Sequence, residues 1–202
     1  MAQFWDERYQ APGFVYGEKP NIFLQSVAGL LPQGRVLCLA EGEGRNAVYL
    51  ASLGYDVTAV DQSTVGLKKA HLLADKHGVK ITTHCSSLED YVLQPSYWSA
   101  IVSIWAHVPS VLRRKVHQKI VQSLVQGGVF VLEAYTPEQL QMPSVGGPKN
   151  PDLLMDLKTL KSELGFSHYI LAQEITRDVQ EGVLHQGQSA VVQIAAQKKG
   201  FF

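Results

Sequence analysis

The sequence has only two cysteines, Cys38 and Cys85, and no CxxC spacing. That excludes a disulfide framework and a paired-cysteine redox or zinc motif. Cys38 sits inside the apolar run GRVLCLA and reads as a small buried hydrophobe. No apolar stretch is long enough to span a bilayer. The opening MAQFWDERYQ mixes charge with aromatics and is not a basic-then-apolar leader. The expected location is therefore cytoplasmic, with no membrane partner. Neither charge sign is in excess, since 18 basic residues face 18 acidic ones. Without a basic face, nucleic acid is not an expected partner. Tandem repeats and low-complexity tracts are lacking as well. The seven histidines show no ligand spacing, and His71 and His77 fall on different faces of one expected helix, so no metal is expected.

What is present is alternation. Apolar runs GRVLCLA, YDVTAVD, VKITTH, SAIVSIWA and VFVLEAY read as strands. Between them lie segments with helical spacing. Residues 22–31 carry an apolar stripe, and RNAVYLASLG ends on Gly54. TVGLKKAHLLADKHG follows Ser63, a suitable N-cap, and stops at Gly78. SVLRRKVHQKIVQSLVQGG stops at a Gly-Gly pair, and DLLMDLKTLKSELG is expected to be helical throughout. HYILAQEITRD and HQGQSAVVQIAAQ read as a closing hairpin. The 202 residues are expected to form one domain, 1–202. Its class is α/β: a doubly wound, Rossmann-like, seven-stranded, mostly parallel sheet with a C-terminal antiparallel hairpin. Ligands in such sheets bind at the carboxyl ends of the strands. That selects residues 40–46, Asp61, 86–88, 106–107 and Tyr135.

The first of these stretches is a glycine loop. Gly42-Glu43-Gly44-Arg45-Asn46-Ala47 fits G-x-G-x-x-A, with Asp61 about 20 residues on. Formally this suits a dinucleotide. A pyrophosphate at that helix start would lie beside Glu41 and Glu43, at a cost of roughly 1 kcal/mol or more each. S-adenosylmethionine (SAM) has no phosphate but carries a sulfonium and an ammonium, which acids favour. A second reading of the two glutamates is local: acids in a first helical turn favour the helix dipole, and Glu43 could face solvent.

The stretch LAEGEGRNAVYLASLGYDVTAVDQS, with the leader FWDERY…VYGEKPN, resembles the class I SAM-dependent methyltransferases. It is most similar to the small ones allied to tellurite-resistance and thiopurine methyltransferases, over Trp5 to Lys198. The resemblance implies that Gly42 and Gly44 approach the cofactor, that Arg45 and Asn46 open the following helix with Arg45 near the methionyl carboxylate, and that Glu41 can replace the family's strand acid if it reaches the same site. It implies that Asp61 holds the ribose and Gln62 lies beside the adenine. Ser87 and Leu88 fall where the family reads the adenine amino group. Tyr16 and Gly17 belong to a leader, 1–20, that covers the cofactor. The chain departs from the family's Asp-Leu-Gly-Cys-Gly-x-Gly: Cys38 stands at the acid, Ala40 at the first glycine, and Glu41 at the cysteine. Serine stands for aspartate at 87.

Methyl transfer needs the acceptor held in line and water excluded, and a base only where the acceptor arrives protonated. His107, after the fourth strand, is the main acceptor-side candidate; a loop histidine tied by hydrogen bonds is the equal alternative. Tyr135 and Glu133 end the fifth strand and read more readily as packing and a buried hydrogen bond. Arg177 and His185 flank the hairpin turn, at the pocket rim or in solvent. The glycine-rich 136–151 segment is expected to be a lid. The expected function is SAM-dependent methyl transfer to a small soft nucleophile, a thiol or a chalcogen oxyanion such as tellurite or selenite. The competing readings are a SAM-binding sensor without activity and, disfavoured, an NAD(P)-dependent oxidoreductase.

Overall fold

The computed structural model describes residues 2–143 and 146–199. Five parallel strands come first: β1 (Arg35–Leu39), β2 (Asp56–Asp61), β3 (Thr82–Cys85), β4 (Trp98–Ile104) and β5 (Leu124–Tyr135). The hairpin β6 (His168–Glu181) and β7 (His185–Gln197) completes the sheet in the order β3-β2-β1-β4-β5-β7-β6. Only the β5–β7 and β7–β6 pairings are antiparallel. The expected α/β class is therefore the one observed. Strand order reverses between β1 and β4, and a cleft opens at that switch point.

Period-two burial of β1 explains the two layers. Leu37 and Leu39 face one core with Val116, Ile120, Leu160 and Leu164 from helices α5 (Ser110–Ser123) and α6 (Leu157–Leu164). Val36 and Cys38 face the other, with Phe23 and Leu24 of α2 (Ile22–Val27) and Leu50 of α3 (Arg45–Ser52). Cys38 is fully buried there, as its apolar run indicates. Each fully buried aliphatic of this kind contributes about 1.5–3 kcal/mol. Helix α4 (Thr64–Lys76) is capped by Ser63, whose hydroxyl accepts from Gly66 N, and is followed by Gly78 in the left-handed region. Among the described residues, no helix is long and apolar enough to cross a membrane.

One expectation needs correction, and two elements go beyond what the sequence showed. The leader contains a helix, α1 (Ala2–Tyr9), with no apolar stripe of core spacing to announce it. The helix expected from residue 152 begins only at Leu157. Asn150 caps a short 3-10 turn and Asp156 caps α6, accepting from Asp152 N and Thr159 N respectively. Between them Leu154 and Met155 are buried and extended, and Met155 N donates to Tyr135 O. The 136–151 segment is not wholly irregular, because Pro137–Gln141 forms a 3-10 turn; Ser144 and Val145 lie outside the described residues.

Candidate active site

The cleft, about 570 Å³, falls within the range of small-molecule sites. One half is built by the glycine loop. Ala40 leaves β1 at φ 49°, a left-handed conformation costly for a residue with a Cβ. This gives the family's glycine at that position a physical reason. Gly44, at φ 87°, has no room for a side chain, since an added Cβ would lie 2.5 Å from Ala70 Cβ of α4. At Gly42 it would run into the Tyr9 hydroxyl. Both glycines thus shape the loop, and neither lines the cleft.

The acids around this loop do three different things. Glu41 Oε1 accepts from Asn46 N at 2.9 Å and Ala47 N at 2.7 Å, capping the start of α3. Burial pushes its carboxyl up to about 7, against those bonds and the nearby Arg45 charge. Glu43 is buried, not solvent-facing. It pairs with Lys69 at 2.9 Å and accepts from Tyr16 N at 3.3 Å, so it holds the leader. Asp61 accepts from Gly42 N at 2.9 Å and Ser63 N at 2.8 Å, and burial raises its pKa. It therefore supports the loop whatever else it holds. Glu41 and Asp61 both line the cleft, and neither forms a salt bridge among the described residues.

The leader closes this half. Asp6 accepts from Ser63 Oγ at 2.5 Å and Val65 N at 3.2 Å, seating α1 on the start of α4. Lys69 Nζ donates to the carbonyls of Ala11 and Gly13. Phe4, Trp5, Arg8, Tyr16 and Gly17 thereby line the cleft, together with Asn46, Gln62, Ser87 and Leu88. The Ser87 hydroxyl is already engaged, donating to Asp90 Oδ2 at 2.7 Å and accepting from Asp90 N at 3.2 Å. Arg45 lines the cleft too, but its guanidinium meets Glu181 at 2.5 Å and donates to Lys19 O at 3.3 Å.

The other half is aromatic. Trp105 follows β4 at φ 57°, an outlier for a bulky residue and a kind of strain that collects at functional sites. Its indole stacks on Tyr135 at 4.4 Å, meets His185 edge-on at 5.1 Å, and donates to Glu181 Oε2 at 2.8 Å. His107 lines the cleft with both nitrogens engaged: Nδ1 meets Leu153 O at 2.8 Å, and Nε2 accepts from Tyr135 N at 3.4 Å. With Nδ1 donating to that carbonyl, the ring is neutral, and burial lowers its pKa to about 4. His107 is therefore built as a tie between loops, which was the alternative reading of it. His185 was expected only at the rim, yet it lines the cleft between Tyr16 and Trp105. Its Nδ1 is buried without a hydrogen-bond partner, and burial together with the Arg45 charge lowers its pKa to about 3.

Two expected acceptor-side residues do not reach the cleft wall. Tyr135 is fully buried behind Trp105. Arg177 grips Glu133 through Nε at 2.8 Å and through one terminal nitrogen at 2.6 Å, and Glu181 at 2.9 Å. Asn21 donates to both glutamates and Gln193 to Glu133. Burial would raise the Glu181 carboxyl, but Arg45, Trp105 and Arg177 outweigh it and hold it at about 2. The sequence hinted at Trp105 and His185 only through their positions at a strand end and a hairpin turn.

Residues 36–128 match the model of the methyltransferase domain family. That match covers a little under half of the chain. A stretch of 71 residues is 35% identical to the uncharacterized methyltransferase YbaJ of Bacillus subtilis (strain 168), covering 35% of this chain and 26% of that protein. The match thus spans about a quarter of the curated relative's length. Among solved structures, TehB from Haemophilus influenzae superposes with a TM-score of 0.73 at 19% identity, over 98% of this chain and 67% of that one. A structure from work on the conversion of a disulfide bond into a thioacetal group during echinomycin biosynthesis gives 0.77 at 17%, over 98% and 92%. At these identities the likeness is one of fold. Other neighbours include a SAM-dependent methyltransferase and an N-methyltransferase in complex with S-adenosylhomocysteine (SAH), which makes SAM the candidate ligand against which to test this cleft. Two cleft-lining carboxylates without a basic partner fit the cations of SAM.

Proposed function

We propose that the protein transfers the methyl group of SAM to a small soft nucleophile, a thiol or a chalcogen oxyanion such as tellurite or selenite, that enters the cleft as an anion. The observation that carries this reading is the division of the cleft. Glu41 and Asp61, both without a basic partner, stand at one end, and neutral imidazoles in an aromatic wall stand at the other. Glu41 and Asp61 suit the sulfonium, ammonium and ribose hydroxyls of the donor. With SAM bound, the cofactor supplies an electrophilic methyl group on a cationic sulfur. The chain's own residues then orient the acceptor and exclude water. Gln62, Ser87 and Leu88 would flank the adenine, and Gly17 and Tyr16 would cover the donor from the leader. His185, which lines the cleft beside Trp105, would help to orient the acceptor. Tyr135, behind Trp105, acts by positioning that wall, and Arg177 by holding Glu133 and Glu181.

The resemblance to tellurite-resistance and thiopurine methyltransferases supports the acceptor class. Calorimetry with SAM, SAH and NAD, followed by turnover against thiols, selenite and tellurite, tests the reading. Binding of SAM and SAH but not NAD, with turnover of at least one soft acceptor, is expected. NAD binding would overturn the cofactor assignment. SAM binding with no turnover across the panel would favour the sensor.

A further inference from the structure

Four arginines are not exposed: Arg8, Arg45, Arg113 and Arg177. Three are neutralised by glutamates: Arg45 by Glu181, Arg113 by Glu163 at 3.0 Å, and Arg177 by Glu133 and Glu181. Arg8 has no carboxylate partner among the described residues. Its guanidinium donates to the neutral Tyr16 hydroxyl at 3.0 Å and lies over the Phe4 and Trp5 rings, 4.6 and 5.2 Å from their centroids. It also lines the cleft.

A guanidinium has five donors in a rigid fork that matches a carboxylate or oxyanion. One bond to a phenol leaves most of that fork unused. Ring contacts offset only part of the cost of a half-buried cation without a counterion. Its place is fixed, because Asp6 pins the same helix to α4 and Trp5 stacks on Tyr9 at 5.7 Å. The Tyr16 ring that Arg8 holds packs on His185 at 4.7 Å, which sets Arg8 beside the acceptor wall.

We propose that Arg8 is an anion-binding residue that reaches into the cleft from the leader and takes a carboxylate or oxyanion of a bound ligand. The inference rests on the methyltransferase reading. The anion has two sources: the methionyl carboxylate of the donor, for which Arg45 is already committed to Glu181, or the acceptor. When that anion binds, the leader and the ligand hold each other, so closure over the cofactor depends on the ligand's charge.

The test compares wild type with Arg8→Gln, and with Arg8→Lys as a variant that keeps the charge and loses the fork. Thermal melts check folding. Calorimetry uses SAH, which has the carboxylate; 5′-methylthioadenosine, which lacks it; and selenite added to the SAH complex. If the donor carboxylate is the source, Arg8→Gln weakens SAH by roughly 10- to 100-fold and leaves methylthioadenosine unchanged, with Arg8→Lys in between. If the acceptor is the source, SAH binding survives and selenite binding is lost. Wild-type affinity of a folded Arg8→Gln chain for all three overturns the proposal while leaving the methyltransferase reading intact. A wild-type chain that binds neither adenosyl compound overturns both.

Discussion

Replacing Glu41 by glutamine separates its structural task from its electrostatic one. The glutamine carbonyl can still accept from Asn46 N and Ala47 N, so the start of α3 keeps its cap. The charge is lost. In the folded chain, burial raises the carboxyl from its ordinary 4.5 to about 7. An acid raised in this way opposes folding once the pH passes its unfolded pKa. The penalty is absent below 4.5, grows up to about 7, and is constant beyond. At about 1.4 kcal/mol per pH unit this makes roughly 3 kcal/mol, a ceiling that solvent at the cleft mouth lowers. Glu41→Gln should therefore stabilise the ligand-free protein above pH 7 and do nothing below pH 4.5. Binding should move the other way. A unit charge 6–8 Å from the sulfonium at an effective dielectric near 20 is worth about 2–3 kcal/mol, or roughly 30- to 100-fold. SAM should lose that affinity, whereas SAH, with a neutral sulfur, should lose little. Calorimetry of both ligands at pH 6 and 8 reads the difference, and wild-type SAM binding should weaken at the lower pH as Glu41 takes up its proton. Equal losses for SAM and SAH would refute the sulfonium argument and assign the charge to the shared ammonium. No loss for either would reduce Glu41 to a helix cap.

Ala40→Gly should raise stability by several tenths to about 1 kcal/mol, the relief at φ 49° less the added freedom of the unfolded chain; a lower melting temperature would contradict the strain. Arg177→Ala should destabilise by about 3–5 kcal/mol in urea melts, because Glu133 and Glu181 lose a shared buried partner; a stable, inactive variant would return Arg177 to catalysis. His107 and His185, held near 4 and 3, stay neutral in the folded chain while the unfolded chain takes up protons below 6.5. Stability should thus be full above 6.5 and fall by about 2 kcal/mol per histidine at pH 5. His185→Gln should flatten that limb, and an unchanged slope in pH-dependent melts would refute it.

The central strands were legible because they are short apolar runs that bury both faces, and the hairpin because its two runs flank a glycine. The glycine loop and Asp61 were legible because the chain spacing itself sets them at one strand switch. What failed to show has a common cause, namely that the deciding partner lies far along the chain. Arg177 looks like a rim cation until Glu133, 44 residues away, closes on it. Glu43 looks solvated until Lys69 and the leader cover it. Helix α1 turns Trp5 and Arg8 toward the cleft and buries only Tyr9, so its pattern has no apolar stripe to detect. Sequence left His107 open between a base and a loop tie because an isolated imidazole titrates near 6.5; burial, with the Arg113 charge, moves it to about 4 against the bond to Leu153 O.

That same burial bears on which acceptor the proposed reaction suits. A neutral acceptor would have to give up a proton as the methyl arrives, and an imidazole whose conjugate acid has a pKa near 3 cannot keep one at neutral pH. An anionic acceptor gives up nothing. Its charge and the sulfonium charge cancel as the new bond forms, and a dry aromatic wall resists separated charge more than it resists the neutral products. The surrounding ion pairs fit this division of labour. Glu181, Glu133 and Glu43 neutralise Arg45, Arg177 and Lys69, in and behind the walls. On the proposal, Glu41 and Asp61, without a basic partner among the described residues, face the donor, and Arg8, without a carboxylate partner there, faces an anion. On the proposed reading, the soft nucleophile is best bound ionised, and His185 orients it without ever serving as its base.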